Sequence, residues 1–72
     1  MIKKDEKKLY KELRQRFPEG TLRNVERIFE VLGIQVNRGY YILEKWADKG
    51  YIDYGVSVRG AWFIPGAPEE LK

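Results

Sequence analysis

The first apolar pattern along the chain has the period of an α-helix. Leu9, Leu13 and Phe17 recur at every fourth position, with Tyr10 beside them, and charged residues occupy most of the positions between. This spacing predicts an amphipathic helix over residues 5–17. A proline follows directly and disfavours helical geometry at the residue before it, so the helix is expected to end there.

A second, shorter helix is predicted after a brief extended segment at residues 21–22. Asn24 is a favourable residue to begin it, because its side chain can accept a hydrogen bond from a free amide of the first turn. The apolar stripe of this helix consists of Val25, Ile28, Phe29 and Leu32. Gly33 is expected to end the helix, because the residue at this position normally adopts the left-handed conformation.

A third helix is predicted to begin at Gln35 or Val36 and to run to about residue 49, where Gly50 ends it. Its apolar side consists of Gly39, Ile42, Leu43 and Trp46. The positions that point directly away from this side, at about 100° per residue, are Asn37, Tyr41, Glu44 and Asp48.

The polar side of the third helix differs between its two halves. Tyr40 lies on one flank of that side, and Arg38 and Lys45 lie on the other. The first half carries no carboxylate, whereas the second half carries Glu44 and Asp48. The first half is therefore the part that is suited to contact an anion.

Residues 51–64 predict a β-hairpin. Two β-rich runs, 51–54 and 61–64, flank a loop at residues 55–60 that begins and ends with glycine. Proline and glycine interrupt the tail, which is expected to be irregular. The predicted fold is α+β and mainly α, with a single domain over residues 1–64 and an irregular tail over residues 65–72.

The composition limits the chemistry that the chain can perform. It contains 72 residues without cysteine or histidine, which excludes disulfides, Cys/His zinc sites and Ser-His or Cys-His catalysis. There is no phosphate-binding or dinucleotide-binding glycine motif. These observations predict a protein that is not an enzyme and needs no metal or other cofactor. The charged N-terminus and the lack of a long apolar run predict a cytoplasmic location, away from membranes.

The charge distribution is more informative than the net charge of +3. Residues 31–43 and 54–68 contain no acidic residue and hold one arginine each, Arg38 and Arg59. A surface that approaches phosphates should lack carboxylates, so these two segments are candidates for contact with an anionic partner. The lysines of residues 3–11 are interpreted as a solvated helix face, with the interleaved acidic residues as i, i+4 partners.

The order of these elements resembles the winged helix-turn-helix domain. The resemblance is carried by residues 24–52: a capped helix of about two turns that ends in Leu-Gly-Ile, a second helix, and then Lys49-Gly50 before the first strand. Phe29 occupies a position where the family usually has alanine, and Gly39 one where it usually has a branched aliphatic residue. We interpret the pair as one compensated change, in which the ring fills the space that the glycine leaves.

The resemblance implies a small, sequence-specific transcriptional regulator that binds double-stranded DNA. The third helix would enter the major groove, and the hairpin wing would meet the backbone or the minor groove. Glutamine and asparagine can pair bidentately with adenine, arginine can bind guanine or phosphate, and valine can contact a thymine methyl group. The implied contact residues are Gln35, Val36, Asn37, Arg38, Tyr40, Tyr41, Lys45, Ser57 and Arg59.

An alternative is a winged helix that contacts proteins and does not bind DNA, because fold alone does not fix function. Tyr40 and Tyr41 suit a protein interface as well as DNA. Asn37, Arg38 and Arg59 also fit ordinary solvated positions. The absence of acidic residues from both the first half of the third helix and the wing favours DNA. In size the chain is similar to viral or plasmid repressors and excisionase-like architectural factors, and a homodimer on a two-fold site is one arrangement open to it.

Overall fold

The computed structural model describes residues 2–71 and consists of three α-helices followed by a two-stranded antiparallel sheet. Helices α1, α2 and α3 span Lys4–Arg16, Val25–Leu32 and Val36–Lys49; strands β1 and β2 span Ile52–Asp53 and Trp62–Phe63, with a 3₁₀ helix at Val58–Gly60 between them. The predicted mainly helical α+β fold is confirmed, and the layout is consistent with that of a winged helix. No helix in the described part of the chain is long and apolar enough to cross a membrane.

Helix α1 buries the stripe that its sequence predicts and one residue more. Leu9, Tyr10 and Leu13 are buried, while Phe17 is half-buried just beyond the end of the helix. Glu6 lies on the same face and is only 1% exposed. The inner face of α1 therefore carries a carboxylate into the core, and that group requires partners there.

Both helix-ending glycines have the predicted conformation, but the predicted cap at the start of α2 is absent. Gly33 and Gly50 both adopt the left-handed conformation expected after a helix, with φ of 71° and 83°. The predicted capping role of the Asn24 side chain is wrong. The backbone of Asn24 is itself left-handed, with φ of 50°, and its side chain makes no capping hydrogen bond. A residue that caps a helix in this way normally has an extended backbone, which aims its side chain at the first-turn amides.

The sheet is shorter than the predicted hairpin. Ile52 pairs with Phe63 and Asp53 pairs with Trp62, and one further hydrogen bond joins the amide of Ile64 to the carbonyl oxygen of Tyr51. Residues 58–60 curl into the 3₁₀ helix, so the chain forms local hydrogen bonds where the hairpin pattern predicts a plain loop. The predicted extended segment at residues 21–22 is present: Thr21 forms a single bridge with Trp62.

The core centres on Trp46, which is fully buried. Tyr10 lies between two aromatic neighbours and makes edge-on contacts with Trp46 and Phe63, at ring-centre distances of 5.8 and 5.2 Å. Leu71, near the end of the tail predicted to be irregular, is also buried in this cluster. The remaining buried apolar residues come from all three helices, from β1, from the connections between the helices, and from residues 58 and 61 between the strands.

Helices α2 and α3 approach closely at Phe29 and Gly39. Phe29 is fully buried, and a Cβ atom added to Gly39 would lie 2.6 Å from three atoms of its ring. The proposed fit of ring against glycine is thereby confirmed. Tyr40, the residue after the glycine, meets the same ring edge-on at 5.3 Å. This contact fixes the rotation of α3 relative to α2, and so determines which residues α3 exposes.

Candidate nucleic-acid interface

The start of α3 presents the predicted contact residues on an open face. Gln35, Val36, Asn37 and Tyr41 are all exposed, Val36 by 44% and Tyr41 by 58%. The two amide side chains, of Gln35 and Asn37, form no hydrogen bond within residues 2–71. Both are therefore available to an external partner.

A short connection positions this face. The left-handed Gly33 ends α2, and Ile34 is buried in the core directly before α3 begins. The amide of Ile34 donates a 2.8 Å hydrogen bond to the carbonyl oxygen of Phe29. Because a buried side chain and a backbone hydrogen bond hold the connection, the first turn of α3 begins from a fixed point.

Arg38 folds back onto α1 and binds Asp5. Its Nε and Nη2 atoms donate to the two carboxylate oxygens at 2.8 and 3.0 Å, which is the bidentate arrangement typical of strong arginine–carboxylate pairs. The hydrogen bond from Arg38 holds the pKa of Asp5 below its ordinary value, and the same bond raises the pKa of Arg38. Arg38 is thus engaged within the protein, at the edge of the predicted contact face.

Lys45 is engaged in the same way by Glu6. Its Nζ atom lies 2.8 Å from Oε2 of the carboxylate, and the indole N–H of Trp46 donates to Oε1 at 3.2 Å. Burial alone raises the pKa of Glu6. Hydrogen bonds from Lys45, from the backbone amide of Lys3 and from Trp46 outweigh that effect, so the pKa lies below its ordinary value. Lys45 therefore holds α3 against α1.

These two ion pairs correct the expectation for the N-terminal acidic residues. The i, i+4 pattern predicts that Asp5 and Glu6 pair with lysines of α1, whereas both pair with α3. The prediction was wrong because both carboxylates lie on the side of α1 that faces α3. Only Glu12 forms a pair within α1 among the described residues, with Arg16.

The loop between β1 and β2 carries Arg59 beside α2. Its guanidinium lies 3.2 Å from Glu26 and 5.4 Å from the centre of the Tyr40 ring, while its side chain remains 69% exposed. The Tyr40 hydroxyl donates to the same carboxylate at 2.7 Å. The pKa of Tyr40 is raised, mainly by burial and next by this hydrogen bond. The Ser57 hydroxyl oxygen accepts a hydrogen bond from the amide of Arg59 and caps the 3₁₀ helix. Arg59, Tyr40 and Ser57 thus lie together.

The predicted contact segments contain no acidic residue, but carboxylates from other parts of the chain lie beside them in the structure. Each predicted contact cation, Arg38, Lys45 and Arg59, has a carboxylate partner supplied by α1 or α2. One signal could have indicated this. Glu6 falls on the apolar stripe of α1, and an acidic residue at a core position implies a buried partner.

Cations without an ion-pair partner among the described residues include Lys4 and Lys8 of α1, where the sequence interpretation assigned no binding role. Lys4 and Lys8 line an open groove together with Gln35 and Arg38, beside the connection between α2 and α3. The sequence offers no local signal for this arrangement, because the residues that form the groove are far apart along the chain. Residues 2–71 contain no group of three or more acidic, cysteine or histidine side chains that could hold a metal ion.

The face also includes exposed apolar groups. Val56, in the loop between the strands, is 100% exposed, and Tyr54 at the start of that loop is exposed as well. Tyr41 and Tyr54 line a shallow depression with the second half of α3, where Glu44 and Asp48 supply negative charge. The carboxylates of α3 itself thus lie in its second half, at Glu44 and Asp48.

No protein-family model, curated protein or solved structure matches this chain. A functional assignment therefore rests on the geometry of its surface.

Proposed function

We propose that this protein binds double-stranded DNA in a sequence-specific manner and acts as a small, non-catalytic transcriptional regulator in the cytoplasm. The exposed first half of α3 enters the major groove, and the loop between β1 and β2 meets the backbone or the minor groove. The observation that carries the proposal is the pair of exposed amide side chains, Gln35 and Asn37, which have no partner within the described chain and stand at the start of a firmly held helix.

The contacts that fix α3 against α1 and α2 support a role in base recognition. Its apolar side packs through Gly39 against the buried ring of Phe29, and one flank is tied to α1 through Arg38 and Lys45. A helix held on two sides presents its exposed side chains in a fixed direction, which lowers the entropic cost of binding. Asparagine and glutamine so placed can pair bidentately with adenine.

The ion pairs assign different roles to the three cations. The bond between Arg38 and Asp5 is bidentate and partly buried, and Lys45 binds a fully buried carboxylate, so both are proposed to position α3. The pair of Arg59 with Glu26 is exposed, and such pairs contribute only about 0–1 kcal/mol. Arg59 can therefore exchange Glu26 for a DNA phosphate at small cost.

The test is a binding selection of the full chain from random duplex DNA at low salt, followed by affinity measurements for Asn37→Ala. We expect a preferred site, and a loss of about 1–3 kcal/mol of discrimination in the variant, because base contacts specify sequence. Gln15→Ala is the matched control: it removes an exposed amide from α1 and should leave both preference and affinity unchanged. Failure of the wild-type chain to bind any duplex at low salt would overturn the proposal.

A second function, protein contact through the same face, is favoured by one observation. Val36, Tyr41, Tyr54 and Val56 are exposed apolar or aromatic groups near cations whose charge is already neutralised. Tyrosine is enriched in protein interfaces, so a homodimer or another partner suits this surface. Sedimentation of the free protein, compared with Tyr41→Ser, tests it: a self-association that the substitution weakens, with no affinity for DNA, would favour this second function.

A further inference from the structure

Lys4 and Lys8 lie on the edge of a groove at the connection between α2 and α3. Both are exposed, and neither side chain has a hydrogen-bond or ion-pair partner within residues 2–71. The groove is lined by Lys4, Asp5, Lys8, Leu32, Gly33, Ile34, Gln35 and Arg38. It therefore places two free ammonium groups next to the first residues of α3.

The groove is positively charged even though it contains a carboxylate. Asp5 is the acidic residue in its lining, and both of its oxygens accept hydrogen bonds from Arg38. Arg38, Lys4 and Lys8 against this one carboxylate leave a net charge of +2. The unneutralised charge therefore resides on the two lysines.

The spacing of the two lysines suits an extended anion. Residues four apart on a helix are neighbours on its surface, with Cβ atoms about 5–6 Å apart. Gln35 lines the same groove, so a chain of phosphates bound to the lysines would lie beside the exposed start of α3.

We propose that Lys4 and Lys8 bind phosphate groups of the DNA strand whose bases face Gln35. This inference rests on the proposed function and adds to it a second element, α1, as the source of backbone contacts. The ion pairs that position α3 occupy its Arg38 and Lys45, and its third cation, Lys49, lies in the last turn, far from the contact residues. Asp5 and Glu6 turn inward and leave lysines on the outer surface of α1. Lys4 and Lys8 thereby supply free positive charge beside the start of α3, where α3 itself has none.

The test compares two double variants of the full chain that remove the same charge. Lys4→Gln with Lys8→Gln removes the groove cations. Lys7→Gln with Lys11→Gln removes two exposed lysines with the same spacing on the same helix that do not line the groove. Each is titrated against the duplex recovered by selection, at several salt concentrations, after circular dichroism has verified folding.

We expect the groove variant to bind more weakly and to lower the slope of log K against log salt by about 2, since each phosphate contact contributes about 0.9. Its sequence preference should persist, because phosphate contacts position the protein and do not read bases. The control pair should change the slope by less than about 0.5. Equal effects of the two pairs would show diffuse charge attraction and overturn the inference, as would no effect of either. Both results leave the proposed function standing, whereas a wild-type chain that binds no duplex removes both the proposed function and this inference.

Discussion

Trp46 donates the hydrogen of its indole nitrogen to the buried carboxylate of Glu6 at 3.2 Å. The other oxygen of that carboxylate accepts from Lys45 at 2.8 Å, so one group on α1 holds two consecutive residues of α3. Every buried side-chain polar atom in residues 2–71 has a partner. A fully satisfied polar network of this kind fixes one arrangement of the helices, because any other arrangement leaves a buried charge unpaired.

Glu6→Gln should lower the free energy of unfolding by about 1–3 kcal/mol, because it removes the charge-assisted bond to Lys45 and weakens the one to Trp46. Urea denaturation of the two proteins measures this difference. Glu12→Gln is the control. It breaks an exposed pair with Arg16 on the same helix and should cost less than about 1 kcal/mol. Equal losses would show that the buried carboxylate contributes no more than a surface one.

Stability should decrease in acid through Asp5 and Glu6. The pKa of each is below its ordinary value, 3.8 for Asp5 and 4.5 for Glu6, because hydrogen bonds from α3 favour the charged forms. The unfolded chain therefore takes up protons first. Stability from these groups is complete above the ordinary values and is lost as pH falls through the lowered ones. Urea midpoints between pH 7 and pH 2 should show this loss, and Asp5→Asn with Glu6→Gln should flatten the profile. An unchanged profile in the double variant would contradict the assignment.

Gly39→Ala should destabilise the protein, although alanine is favoured over glycine by about 1 kcal/mol inside an exposed helix. The reason is that the new Cβ atom would meet the ring of the buried Phe29. Gly39→Val should cost about 1–3 kcal/mol, and Phe29→Ala about 3–5 kcal/mol. Combining the last two should recover part of both losses, since residues in contact are not additive.

A thermal or urea double-mutant cycle measures this recovery. Gly55→Ala, at a glycine with nothing near its absent Cβ, is the matched control and should change stability little. Additivity within about 0.3–0.5 kcal/mol would mean that Phe29 and Gly39 do not support each other.

Arg59→Ala should weaken binding to all duplexes to a similar extent and reduce the salt slope by about 1, because its proposed contact is with phosphate. The control is Arg23→Ala, which removes another exposed arginine that is paired with a glutamate. Competition titrations with preferred and unrelated duplexes give both quantities. A change in sequence preference on loss of Arg59 would instead mean that the loop reads bases.

Local chemistry explains which parts of the fold could be predicted. The ends of α2 and α3 depend on Gly33 and Gly50, and the apolar stripes depend on helical spacing, so a few neighbouring residues suffice for each. The pairs of Asp5 with Arg38 and Glu6 with Lys45 join residues 33 and 39 positions apart, and no local pattern contains them. The exposure of Gln35 and Asn37 was predictable because it follows from local helical spacing. The ion pairs of Arg38 and Lys45 were not predictable because their partners are far away in the sequence.

The proposed recognition residues of α3 are separate from the residues that hold the helix in place. Gln35 and Asn37 form no hydrogen bond within the described chain, while the contacts that hold the helix lie on its apolar side, at Gly39, and on one flank, at Arg38 and Lys45. Substitutions at the two amide positions should therefore carry little penalty for stability, as is usual for exposed sites away from packing and ion pairs. Under the proposed function, a lineage carrying this chain could exchange one DNA target for another through single changes at those positions, and each intermediate would remain folded.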